Sequence, residues 1–314
     1  MVAQQGRRTE TRVLAVAVAG LMCCVAGCSA GRAGAEDARP AAVGTRSGAV
    51  SAGVLHRAAA ALERAGSARA RTSMEMATGG TRVTIRGEGV YDFRKRSGRL
   101  TVELPQDPAG AEEHRPITEL LAPGALFMKN RGAGVPADKW VRVETATLTD
   151  GNLVTGGATD PFAAAELLRG ARTATYVGRT EVAGVPVTHY RGIADLDLAA
   201  RSASEGNREA LRAAAKGFAT AEVPFDVYLD DEGRIRELRN RFSFVGGQHR
   251  GSVAVVSTTR LDDFGVPAPV RLPEPADIFA GKIAETSGFR RPYVFPSPRT
   301  SSRGRSRIRP SSSR

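Results

Sequence analysis

The chain has 314 residues, 41% of them hydrophobic and 25% charged, with a net charge of +12, enough for one domain with a substantial core. The charge sits at the ends: residues 286–314 hold eight arginines and no acid, Arg7, Arg8 and Arg12 against Glu10 add +2, and residues 28–285 keep only +2. A near-neutral body excludes a basic nucleic-acid groove, and cysteines confined to Cys23, Cys24 and Cys28 exclude a disulfide framework, a thiol nucleophile or a thiolate metal site there.

The first 27 residues read as an export signal. Three arginines precede an apolar stretch, Val13 to Val25, that is too short for a permanent bilayer span. Val25-Ala26-Gly27-Cys28 then resembles the lipobox of bacterial lipoproteins. That resemblance implies cleavage between Gly27 and Cys28, with a diacylglyceryl group thioether-linked to the Cys28 sulfur. Each buried methylene stabilises the membrane-bound state by ~0.8 kcal/mol, so two acyl chains anchor where one does not. Gly6-Arg7-Arg8-Thr9 hints at twin-arginine export, although the Sec route is the expectation. The location expected is the outer face of the cell membrane.

Residues 28–48, Gly, Ala, Arg and Ser with little apolar bulk, read as a flexible tether. Val54, Ala58, Ala61, Leu62 and Ala65 share a helical face, which predicts a helix over 49–65 stopped by Gly66. Val83, Ile85, Gly87, Gly89, Tyr91 and Phe93 alternate with polar residues and predict a half-buried antiparallel strand. Leu100, Val102 and Leu104 predict the next one, after a turn at Ser97-Gly98. Short strands follow at 115–121, 125–129 and 139–144. Asp160-Pro161-Phe162 opens a helix with a cap and an N1 proline, and Gly170 ends it. Strands at 172–182 and 186–196, a helix over 204–218, and strands around 225–230, 234–245 and 250–261 complete a domain placed at 49–285. Residues 286–314 read as a disordered basic tail. The fold expected is α+β: a large antiparallel sheet with about three helices covering its apolar face.

Three segments carry a family likeness: Thr188-His189-Tyr190-Arg191-Gly192-Ile193-Ala194-Asp195-Leu196, Val223 through Ile235, and Leu261-Asp262-Asp263-Phe264-Gly265-Val266-Pro267. With the lipobox, and in this order, they resemble the LppX/LprG family of actinobacterial lipoproteins, related in fold to the LolA and LolB carriers. The resemblance implies a half-barrel sheet wrapped around helices, with a hydrophobic pocket for acyl chains of envelope lipids or glycolipids and a part in their transport. It brings no catalytic residues. From the strand alternation, the candidates for lining such a pocket are Ile85, Tyr91, Phe93, Leu100, Val102, Phe127, Val227 and Leu229.

Catalytic patterns are not legible. His56, His114, His189 and His249 stand singly, without metal-ligand spacing, and no nucleophile elbow, phosphate loop or dinucleotide fingerprint occurs. Asp230-Asp231-Glu232 suits a hairpin turn better than a calcium loop, and Glu112-Glu113 reads as a solvated pair. No cofactor or metal is expected. Two functions follow: a membrane-anchored carrier holding acyl chains in an apolar cavity, or an envelope sensor or scaffold whose interior is packed and whose outer face binds a protein. Cavity volume discriminates between them.

Overall fold

The computed structural model describes residues 52–78, 81–105, 115–132, 134–245 and 252–281. The signal segment with Gly27 and Cys28, the tether, Glu112-Glu113, His114, His249 and the basic tail lie outside the described residues.

The predicted first helix is two pieces, α1 (Gly53–His56) and α2 (Ala58–Ala65), divided at Arg57. Gly66, at φ +88°, ends α2 with its N–H on Leu62 O, a conformation that a residue with a Cβ rarely adopts. β1 (Ser67–Thr78) and β2 (Thr81–Asp92) form a hairpin, and β3 (Ser97–Glu103), β4 (Ile117–Ala122), β5 (Ala125–Lys129) and β6 (Val141–Glu144) continue the meander. α3 (Pro161–Leu167) starts where the cap was predicted: Asp160 accepts from Phe162 N at 2.7 Å and Ala163 N at 3.0 Å. β7 (Ala171–Val182) and β8 (Val185–Asp195) follow, then α4 (Leu196–Ser202) and α5 (Glu205–Gly217), and finally β9 (Glu222–Leu229), β10 (Ile235–Val245) and β11 (Ser252–Asp262). β1 and α4 are additions to the sequence-based expectation, and with the split first helix they correct about three helices to five.

The strands make one open, curved antiparallel sheet, ordered β6-β5-β4-β3-β2-β1-β11-β10-β9-β8-β7. Two meanders, β1–β6 and β7–β11, meet at a central β1–β11 seam in which Ala70 pairs with Leu261 and Met74 with Ser257. Because side chains alternate, one face collects Ala70, Met74, Ile85, Tyr91, Leu100, Val102, Leu238, Phe225 and Val227, all buried. The helices lie over this inner face: α2 packs on β1 and α3, α3 on β10, and α4 on β8. They do so through alanine, with Ala58, Ala59, Ala163, Ala164, Ala165, Ala199, Ala200 and Ala214 buried. Alanine favours the helix and lets its backbone approach closely.

The last segment returns over the outer face. After β11, Gly265 N bonds Ser67 O at 2.9 Å, and further on Trp140 N bonds Asp277 O and Phe279 N bonds Trp140 O, both at 2.8 Å. This strap buries a second cluster, Leu120, Ala125 and Phe127 with Trp140, Val270 and Ile278.

Candidate functional site

Seven of the eight pocket candidates meet on the inner face. Ile85, Tyr91, Phe93, Leu100, Val102, Val227 and Leu229 are 0–4% exposed and share one continuous core. Phe127 does not join them. It projects to the outer face, where the strap covers it, because both faces of β5 are buried and alternation alone could not tell them apart. Walls of a space wide enough for a hydrocarbon chain would also admit water. The seven are closed to it, so in this state they form core rather than an open pocket.

The chain itself fills the space. β6 and β7 are consecutive in sequence but lie at opposite edges of the sheet, so residues 145–170 must traverse it, and they do so across the inner face. A Cβ added to Gly156 would meet Asn152 Oδ1 at 2.8 Å and the Glu119 carboxylate of β4 at 3.3 Å. One added to Gly157 (φ +98°) would lie 3.2 Å from Val102 of β3 and 3.5 Å from Ile85 of β2. Ala158 fits the notch left by Gly87 of β2, and Thr159 Oγ1 reaches Ser257 Oγ of β11 at 2.6 Å. Four small residues thus touch β4, β3, β2 and β11 in turn. Three extended residue steps cover roughly 10 Å, whereas four strand spacings on a flat sheet cover about 19 Å. Inner side chains converging in this way mark a concave face.

The crossing carries its own hydrogen-bond partners, as buried irregular backbone must. Asp150 accepts from Asn152 N at 3.1 Å, Val154 N at 2.8 Å, and Thr155 N and Oγ1 at 2.5 and 2.9 Å. Arg131 donates to the carbonyls of Thr155 at 3.2 Å and Gly156 at 3.3 Å. Asp160 accepts from Tyr91 Oη at 3.2 Å while capping α3; burial raises its pKa to about 6, opposed by the Ala163 and Phe162 N–H groups and by Tyr91. Glu166, fully buried, accepts from Ser204 N and Asn207 Nδ2 at 2.8 Å and Ser204 Oγ at 2.9 Å, tying α3 to the start of α5.

Glu119 breaks the pattern. It projects from β4 into the inner face, where its register neighbours are Leu100 and Met128. It is 0% exposed, and neither carboxylate oxygen has a hydrogen-bond partner. Both side-chain polar atoms of Asn152 are likewise without one. Burial pushes the Glu119 carboxyl up to about 8, and the Arg131 charge draws it back only in part.

On the outer face Asp226 gathers His189 Nε2, Arg191 Nε and Arg241 Nη1, each at 2.8 Å. Burial alone would raise this carboxyl, but the three donors hold it below its usual range. His189 stacks on Tyr228 at 4.3 Å, so it is a satisfied histidine, as is His56 on Ala171 O at 3.2 Å. The Asp230-Asp231-Glu232 stretch is a hairpin turn, with Asp230 held by Arg234 at 2.8 Å and Arg236 at 3.0 Å. Two polar clefts of about 400 Å³ open on this face, one beside Arg179, His189, Tyr228 and Glu237, the other beside Arg71, Arg86, Thr101 and Glu103. Neither is lined by a pocket candidate, and among the described residues no acidic or histidine cluster could hold a metal.

Sequence reasoning missed Glu119 and the crossing. The available signals were a glutamate inside the apolar run Ile117 to Ala122, and the run Gly156-Gly157-Ala158-Thr159 directly before the Asp160-Pro161 cap.

No family model and no curated protein matches the chain. Among solved structures it is similar to two lipoproteins and a LolA superfamily protein. The Mycobacterium tuberculosis lipoprotein LppX is 10% identical, with 70% of this chain and 97% of that one covered and a TM-score of 0.44. LprF from Mycobacterium bovis is 13% identical over 71% and 96%, with a TM-score of 0.38. A LolA superfamily protein from Nitrosomonas europaea is 10% identical over 67% and 93%, with a TM-score of 0.31.

Proposed function

We propose that this chain is an envelope lipoprotein, anchored through Cys28, that binds acyl chains of a lipid or glycolipid against the inner face of its sheet once the crossing segment and helices move aside. The observation that carries this reading is the way the concave apolar face is covered. Aromatic and branched side chains line the sheet; over β2, β3 and β4 they lie under Gly156, Gly157 and Ala158, while the helices add alanines together with Leu62, Phe162, Leu167 and Leu211. An alanine methyl buries little surface, roughly 0.8 kcal/mol, against about 1.5–3 kcal/mol for a leucine or phenylalanine. Where the crossing covers β2, β3 and β4 with glycine and alanine, it detaches at lower cost than a leucine layer, and an acyl chain replaces the contacts it gives up.

A second reading, the envelope scaffold or sensor with a permanently packed interior, draws on the closure of the seven candidates to water. Cysteines at positions 159 and 257, where hydroxyls now stand 2.6 Å apart, separate the two. In the delipidated full chain, a Thr159→Cys/Ser257→Cys pair should take up a pyrene-labelled acyl lipid when reduced and lose most of that uptake when oxidised. No uptake by the unmodified chain, at concentrations where a known carrier binds, leaves the scaffold standing.

A further inference from the structure

Among the described residues, other buried carboxylates have close donors or cations: Asp150 accepts from four donors and Glu166 from three, while Asp226 accepts from His189 and Arg191 and forms an ion pair with Arg241. Glu119 has no hydrogen-bond donor, and the Asn152 carboxamide beside it has neither donor nor acceptor. Gly156 brings the two groups together, since one point at its missing Cβ lies 2.8 Å from Asn152 Oδ1 and 3.3 and 3.4 Å from the Glu119 oxygens. Two polar side chains without partners on the apolar face of a closed core are costly, because each forgoes the water it would bond in the unfolded chain. They are explained if their partner is a molecule that enters this space.

We infer that Glu119 and Asn152 form a binding point for a neutral hydrogen-bonding group within an otherwise hydrocarbon ligand, the ester carbonyl of an acyl lipid, which takes the place that Gly156 vacates when the crossing segment shifts. This rests on the acyl-chain reading above and adds which part of the lipid is recognised. A carboxyl protonated at neutral pH donates its O–H to a carbonyl oxygen, and the Asn152 N–H₂ supplies a second donor. Arg131 is the charged group that acts on Glu119; β3 and β5 present Leu100 and Met128 to it, and the crossing presents Asn152 and Gly156. A carbonyl finds donors here.

The test compares a pyrenyl fatty acid methyl ester with the pyrenyl alkane of equal length, bound to the delipidated full chain at pH 6.5 and 9.5. The ester should bind about tenfold more tightly at pH 6.5, the worth of one good hydrogen bond in a dry site. The preference should shrink at pH 9.5, where Glu119 is ionised and no longer donates. Glu119→Gln, which keeps a donor, should preserve the preference at both pH values, and Glu119→Leu should abolish it while still taking up the alkane. Equal binding of both probes, or an undiminished ester preference in Glu119→Leu, would overturn this inference alone and assign the two side chains to an internal water. Uptake of neither probe would overturn the acyl-chain reading along with it.

Discussion

The two faces of the sheet solve opposite problems. Outside, charge is matched with charge: Arg69 and Arg71 lie among Glu88, Asp262 and Asp263, Arg260 pairs with Glu237, and Asp226 holds Arg191 and Arg241 beside His189. Inside, the strands beneath the crossing set large side chains under glycine and alanine, and the Glu119 carboxyl is left without a hydrogen-bond partner. The outer face is finished by the chain's own residues. The inner one is closed with Glu119 and Asn152 lacking hydrogen-bond partners, and the ligand proposed above would enter there.

The contrast breaks most readily at Phe93, 0% exposed and packed between the tilted rings of Tyr91 at 5.2 Å and Phe162 at 6.4 Å. Phe93→Ala should cost about 3–5 kcal/mol, read as a lower urea midpoint with an unchanged slope. A cost under 1 kcal/mol would mean that the inner face is already loose. The pH dependence of stability sharpens the comparison next. Glu119 holds its proton more tightly folded than unfolded, so its stabilising share is full below its ordinary value of 4.5 and fades as pH rises to about 8. The steepest slope from this one group is about 1.4 kcal/mol per pH unit. Urea titrations at pH 5, 6.5 and 8 should show Glu119→Gln flattening that decline, and an unchanged slope would refute the assignment. Asp160 acts in the same direction, up to about 6. The smallest effect belongs outside: Arg69→Ala, which removes exposed ion pairs to Asp263 and Glu88, should leave the urea midpoint almost unchanged, and any small shift should vanish in high salt.

Much of this was legible in the residues, and what escaped did so for physical reasons. The Asp160-Pro161 cap, the Gly66 stop and the alternation in β2, β3 and β9 are local, and the structure keeps each of them. β1 went unread because its inward residues begin with Ala68 and Ala70, small and weakly strand-forming, and with the polar Thr72, so no apolar period shows. Phe127 was assigned to the wrong face because its partner, the strap, comes more than 130 residues later. Glu119 showed in the sequence only as a glutamate within the run Ile117 to Ala122. Its isolation is a property of what Gly156 and Asn152 bring over it, and that arrangement exists only once the chain has crossed the sheet.

The seam between β1 and β11 pairs Arg69 with Asp262, the first and last strands to be synthesised. Contacts so distant in sequence form slowly, and loop closure must precede any gain from them. A partly made chain therefore holds two half-sheets, each with an exposed central edge, and gains its full cooperativity only when the final strand arrives. Delay of that kind keeps a polypeptide threadable through a narrow translocation channel, where early folding would block passage.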